Sequence, residues 1–237
     1  MTSYRAVVLG GTGAVGSSLV RELLLSPRCE SVLLLVRKQT DLFSTHSGNG
    51  KIQQRIVEME NLERETTQAA IGYEVAFSTL GVGQPRKIHK EEFWKVDVEY
   101  NRAFAKGCLK AGIRHASLLS AVGSNENSPT YYIRVKGSAE KALTDLGFPR
   151  LSLFRPSLLV TKSLRYGFQD LVTQAVFPKI SWMLPSKYHE ISVENLGRAM
   201  RLNAETPGQE GVEILHFKEF RRLLNATPSD FLTTSAT

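Results

Sequence analysis

Three glycines constrain this chain more than any other feature. Gly10, Gly13 and Gly16 stand between an apolar segment, Tyr4-Arg5-Ala6-Val7-Val8-Leu9, and a stretch where Val15, Leu19, Leu23 and Leu24 recur at helical spacing. At a strand-to-helix junction such a triplet has three tasks. One glycine permits a tight turn, one lets a phosphate approach the backbone, and one lets the helix pack close to its strand. The helix start then offers free N–H groups and a positive dipole end to a pyrophosphate. A glycine triplet alone is weak evidence; its place at the start of a strand–helix–strand unit is the context that gives it meaning. Gly10, Thr12, Gly13, Ala14, Val15 and Gly16 are accordingly assigned to a dinucleotide's phosphates.

The pattern after this unit repeats. Residues 31–36 are apolar on both faces, as buried strands of parallel sheets are. Strands are expected at 52–59, 73–80, 114–120 and 151–155. Helices are expected at 63–71, 93–111 and from Ser128-Pro129 to about residue 146, with Ser128 as cap and Pro129 in the first turn. Beyond residue 156 the chain is less regular, with helices expected at 166–177, 193–203 and 218–224 and a strand at 212–216. The alternation predicts an α/β fold, a doubly wound parallel sheet of six to seven strands with helices on both faces. Residues 1–224 read as one dinucleotide-binding domain of Rossmann type with a small irregular C-terminal lobe. Residues 157–190 would cover the substrate, with Tyr166, Phe168, Phe177, Trp182 and Met183 supplying apolar surface or core. Residues 225–237 read as a frayed polar tail.

Composition excludes several alternatives. At 42% hydrophobic and 22% charged, the chain is not a disordered one. Its longest apolar run, Val32 to Val36, is far short of the ~20 residues of a membrane-spanning helix. Cys29 and Cys108 make neither a disulfide framework nor a metal site, and His46, His89, His115, His189 and His216 lack metal spacing, so no metal is expected. The net charge of +7 is scattered without a basic run, which argues against nucleic acid as a partner. A strand beginning near Met1 leaves no room for a cleaved presequence, so a cytoplasmic location is expected.

The second strand decides the dinucleotide. An acid near its end would hold the ribose 2′-hydroxyl of NAD. No acid lies between Ser31 and Thr40; Arg37-Lys38 stands there instead and suits a 2′-phosphate. The expected cofactor is NADP(H), with NAD(H) second. Glu58, at the end of the third predicted strand, offers an acceptor to the adenine amino group. Leu80-Gly81, after the fourth, lets backbone pass close to the cofactor.

Tyr132 and Lys136 are four apart on one helix and leave the same face. An ammonium near a phenol favours the phenolate, so the pair can give a proton to a carbonyl oxygen as hydride arrives. Tyr131 pairs with Val135 and is not the candidate.

Together the glycine triplet, Leu118-Leu119-Ser120, the Tyr132–Lys136 pair and Phe154-Arg155-Pro156 resemble the short-chain dehydrogenase/reductase superfamily. Val96-Asp97-Val98-Glu99-Tyr100, Leu118-Leu119-Ser120-Ala121-Val122-Gly123 and Val135-Lys136-Gly137-Ser138-Ala139-Glu140 resemble its atypical branch of Tat-interacting oxidoreductase-like proteins and their fungal relatives. The likeness spans residues 4 to about 216. It implies Tyr132 as catalytic acid/base, Lys136 as holder of the nicotinamide ribose, and Arg155-Pro156-Ser157 beside the nicotinamide. The family has two serines after the fifth strand, the second orienting the carbonyl; here the pair is Ser120-Ala121. Ser120 is the third catalytic candidate, and Ser120 or Ser124 would replace the missing hydroxyl only if the loop is shifted. The expectation is an NADP(H)-dependent oxidoreductase acting on a small carbonyl compound. The rival is a non-catalytic dinucleotide-binding regulator or a structural subunit of a larger assembly. A homodimer or membership of a larger complex is compatible with both.

Overall fold

The computed structural model describes residues 3–160 and 188–226. Strand β1 (Tyr4–Leu9) is buried on both sides, and alternation sends Ala6 and Val8 to one face of the sheet and Val7 and Leu9 to the other. It runs parallel to β2 (Cys29–Val36), with Val8 opposite Leu34, and to β4 (Val75–Ser78), with Val8 opposite Phe77. Strands β3 (Ile52–Ile56), β5 (His115–Leu119) and β6 (Arg150–Phe154) extend the sheet on either side. A separate two-stranded pair is formed by β7 (Leu159–Val160) and β8 (Ile191–Ser192), and β9 (Gly211–Leu215) closes the main sheet. The order is β3-β2-β1-β4-β5-β6-β9, all parallel.

Helices cover both faces. Ala6, Val8, Leu34, Phe77 and Phe154 meet α1 (Ala14–Leu25), α6 (Val193–Glu205) and α7 (Phe217–Asn225). Val7, Leu33, Ala76, Leu118 and Leu153 meet α2 (Leu62–Ala69), α4 (Tyr100–Lys110) and α5 (Tyr131–Thr144). Helix α6 presses close to α1: a Cβ on Gly197 would lie 2.6 Å from Leu19 N. The described C-terminal residues, 188–226, complete the sheet and its helical cover. The predicted helix at 166–177, with Tyr166, Phe168, Phe177, Trp182 and Met183, lies outside the described residues, as does residue 227 onward.

The sheet reverses its winding between β1 and β4, which opens a crevice at the carboxyl ends of those strands. Two local departures from the sequence reading shape that crevice. The long helix expected at 93–111 is broken into α3 (Lys90–Trp94), a π-turn (Lys95–Glu99) and α4. The cause is Asn101, whose buried amide donates to the carbonyls of Asp97 (2.9 Å), Val96 (3.3 Å) and Leu80 (3.3 Å). The next helix starts at Tyr131 with Thr130 at its cap, because the Ser128 hydroxyl accepts from Thr130 N (3.2 Å) and closes a turn of its own.

Candidate functional site

The three glycines of the loop meet different surroundings. Gly10 has φ +80°, and a Cβ there would lie 2.5 Å from Leu80 N. A Cβ on Gly16 would collide with Gly10 O and come within 2.5 Å of Thr79 Oγ1. Both glycines serve packing between the loop, α1 and the end of β4. Gly13 differs: a Cβ there would meet only Gly10 O, at 3.3 Å, so the space before it is open. Gly13 caps α1, no acid stands in the first turn, and Ser17 N bonds back to Gly13 O (2.8 Å). The amides of Ala14, Val15 and Gly16 precede the first intrahelical donor and face outward, where an anion fits.

Two cavities flank this loop. One, of about 420 Å³, is lined by Gly10, Thr12, Arg37, Lys38, Met59 and Leu80 among others. Arg37 and Lys38 are exposed, and among the described residues no carboxylate pairs with either. Glu58 does not join them. Strand β3 ends at Ile56, a 3₁₀ turn follows at Met59–Asn61, and the Glu58 carboxylate accepts from Asn61 Nδ2 (2.7 Å). The wall position foreseen for Glu58 belongs to Met59.

The second cavity, of about 360 Å³, joins Gly13, Ala14, Val15, Leu80 and Gly81 to Ser120, Tyr132 and Lys136. Tyr132 is 38% exposed, and its ring stacks on buried Phe93. Tyr131 points elsewhere and donates to Lys90 O (2.7 Å). Lys136 Nζ lies 2.7 Å from Asp97 Oδ1, and the other carboxylate oxygen accepts from Val82 N (2.9 Å). Burial works against the ammonium, but Asp97 and then Tyr132 outweigh it and hold Lys136 above the ordinary lysine value.

Ser120 lines this cavity, whereas Ala121 is buried and off its wall. The second hydroxyl of the family pair is absent at Ala121, and Ser120 is the hydroxyl of the pair that borders the cavity. Its proton is engaged, however. Ser124 Oγ donates to Ala121 O (2.7 Å), so at 2.9 Å from Ser120 Oγ it can only accept. Arg155 stands behind the wall in a bidentate pair with Glu140, one helical turn after Lys136, and Pro156 O accepts from Val122 N (2.8 Å). Ser157 is half-buried in the chain leading to β7. These three brace the site more than they line it. Asn101 goes unremarked in the sequence, and Asp97 enters there only inside the motif Val96-Asp97-Val98-Glu99-Tyr100, with no role of its own.

No family model matches the chain. The protein HTATIP2 of Rattus norvegicus is 29% identical over 223 residues, which is 94% of this chain and 90% of that protein. FMP52 of Debaryomyces hansenii is 32% identical over 162 residues, 66% of this chain and 67% of that protein. The chain belongs to the HTATIP2 and FMP52 branch of the atypical short-chain dehydrogenases/reductases. Among solved structures, WbmG of Bordetella bronchiseptica in complex with NAD shares the fold, with a TM-score of 0.63 at 16% identity over 96% of this chain and 80% of WbmG.

Membership of this branch corrects one expectation. The FMP52 proteins of several yeasts are named mitochondrial, which overturns the cytoplasmic location. The error lay in treating the nearness of β1 to Met1 as a statement about location. Among the described residues no helix is long and apolar enough to cross a membrane, and no cluster of His, Cys, Asp or Glu is placed to hold a metal.

Proposed function

We propose that this chain is an NADP(H)-dependent oxidoreductase that reduces a small carbonyl compound, with Tyr132 as the proton donor. One observation carries the reading: Ser120, Tyr132 and Lys136 share a cavity wall with the glycine loop and Leu80-Gly81. The open space before Gly13 and the free amides at the start of α1 fit a pyrophosphate, and Arg37 and Lys38, which pair with no carboxylate among the described residues, fit a 2′-phosphate. A bound nicotinamide supplies the hydride.

The chain's own residues do the rest. Tyr132 gives its phenolic proton to the carbonyl oxygen as negative charge develops there. Lys136, paired with Asp97, would hold ribose hydroxyls and bring a positive charge near the oxygen that gives up its proton. Ser120 positions the substrate oxygen beside Tyr132 by turning its hydroxyl proton from Ser124 Oγ to that oxygen. The test compares NADPH with NADH binding in the wild type and in Arg37→Ala, then NADPH oxidation across aldehydes, ketones and quinones with Tyr132→Phe as control. Tighter binding of NADPH, lost in Arg37→Ala, and turnover lost in Tyr132→Phe are expected. Equal affinity for the two dinucleotides would defeat the NADP(H) assignment.

A second reading, a dinucleotide-binding regulator without turnover, is favoured by the engaged proton of Ser120. NADPH binding with no acceptor reduced across that panel would select it. For location we extend to this chain the mitochondrial site named for its yeast relatives; fractionation of cells expressing it checks this.

A further inference from the structure

The Asp97 carboxylate joins two parts of the site that the chain keeps far apart. One oxygen meets Lys136 on α5; the other accepts from Val82 N in the loop after β4. The fit is close, since a Cβ on Gly81 would lie 3.0 Å from Asp97 Oδ1 and 3.3 Å from Lys136 Nζ. The π-turn that carries Asp97 is fixed in its turn. Asn101 Nδ2 donates to Asp97 O and to Leu80 O, and the Ser78 hydroxyl donates to Asn101 Oδ1. The turn, the carboxylate and the loop that borders the cavity form one hydrogen-bonded unit.

We infer that Asp97 is a positioning residue for Lys136, keeping the ammonium charged and aimed at the cofactor side of the cavity. The inference rests on the dinucleotide reading above. Lys136 has a side chain only 12% exposed, and burial alone drives an ammonium toward the neutral amine. The charged and titratable groups around it are Asp97 from the π-turn and Tyr132 and Glu140 from α5. Glu140 is already engaged by Arg155 at the end of β6. Asp97, 1% exposed and at 2.7 Å, is the remaining counter-ion. Loss of its charge leaves a buried cation without a partner, the costly arrangement for an ion pair of this kind.

The experiment is NADPH binding by calorimetry from about pH 7 to about 9.5, the range below the ordinary lysine value. Wild type, Asp97→Asn, Lys136→Met and the double variant are compared, with a thermal melt of each. Wild-type affinity is expected to stay flat. Asp97→Asn is expected to weaken with rising pH, by about tenfold at the alkaline end, which is 1.4 kcal/mol. In the Lys136→Met background the same substitution is expected to do nothing further. A merely structural Asp97 would lower the melting temperature and weaken binding equally in both backgrounds, with no pH dependence, and that result overturns the proposal. So does an Asp97→Asn profile identical to the wild type. If Asp97→Asn does not fold, the wild type alone decides: affinity that falls as pH rises toward 9.5 means Lys136 is not held charged. A wild type that binds no NADPH at any pH overturns the dinucleotide reading and this inference together.

Discussion

The ring of Tyr132 lies 5.9 Å from that of Phe93, with 24° between their planes, and Phe93 is buried while Tyr132 faces the cavity. Phe93 comes from α3 and Tyr132 from the first turn of α5, so a core residue sets the tilt of the proposed proton donor. Tyr131 packs edge-on against the same ring, 5.9 Å away at 72°. Three aromatic substitutions should therefore separate. Tyr132→Phe keeps the stack and removes the proton, so carbonyl reduction should fall by about 10²-fold or more with the melting temperature unchanged. Tyr131→Phe loses the bond to Lys90 O and should cost about 1 kcal/mol of stability with activity retained. Phe93→Ala should cost about 3–5 kcal/mol and reduce turnover as well. Denaturant melts and NADPH oxidation rates on the same preparations check all three.

The glycines should also part company. Gly10→Ala places a methyl against backbone at a positive φ, where neither neighbour can give way. It should lower stability by at least ~1–3 kcal/mol, the scale of local backbone strain. Gly13→Ala meets one atom at 3.3 Å and should fold nearly as well as the wild type. Its methyl projects where the pyrophosphate would sit, so NADPH affinity should fall while the melting temperature of the free protein holds. Unaltered NADPH affinity in Gly13→Ala would place the phosphates elsewhere.

Arg155 and Glu140 form the second buried ion pair behind Tyr132 and Lys136, with two guanidinium nitrogens on two carboxylate oxygens. Glu140→Gln leaves the guanidinium without its counter-charge and should destabilise the protein by about 3 kcal/mol, as breaking one side of a buried pair does. The double variant Glu140→Gln/Arg155→Met should recover part of that loss. Unfolding free energies of the two variants in urea decide it; equal destabilisation would mean that the pair contributes nothing beyond packing.

How much of this was legible in the sequence depends on the range of the forces involved. The strand at 31–36 is visible because burial on both faces needs an unbroken apolar run, and β2 adds only Cys29 and Glu30 to it. The glycine loop and the Tyr132–Lys136 spacing are visible because both act within one or two turns of chain. The π-turn is not, since Asn101 makes it by reaching Leu80 O, on a neighbouring element. Asp97 is hidden for the same reason: its partners Lys136 and Val82 come from elsewhere in the chain. The surroundings of Glu58 are not legible because they depend on where β3 ends, at Ile56, and on the turn Met59–Asn61 that follows. Which of Ser120 and Ala121 faces the cavity is not legible either, because spacing cannot separate two adjacent residues.

His115 gives the pH prediction. It opens β5, buried, with Nε2 2.8 Å from Ser152 Oγ, and Ser152 Oγ is 2.6 Å from Glu213 Oε1. Ser152 has one proton, with Glu213 Oε1 and Asn203 Oδ1 (2.9 Å) as its acceptors, so toward the imidazole it accepts and His115 carries its hydrogen on Nε2. Burial, helped by the Arg150 charge nearby, pushes its pKa down to about 3. An unfolded histidine titrates near ~6.5. The unfolded chain therefore takes up a proton that the folded chain refuses. The stability His115 contributes is full above about pH 6.5 and drains away as pH falls from there toward 3. Between about pH 6.5 and about 5, before most carboxylates titrate, the wild-type melting temperature should fall. His115→Gln keeps an N–H near the position of Nε2 and cannot take the proton, so its melting temperature should be nearly flat over that window. Parallel curves for the two proteins would show that the imidazole does not govern the acid limb.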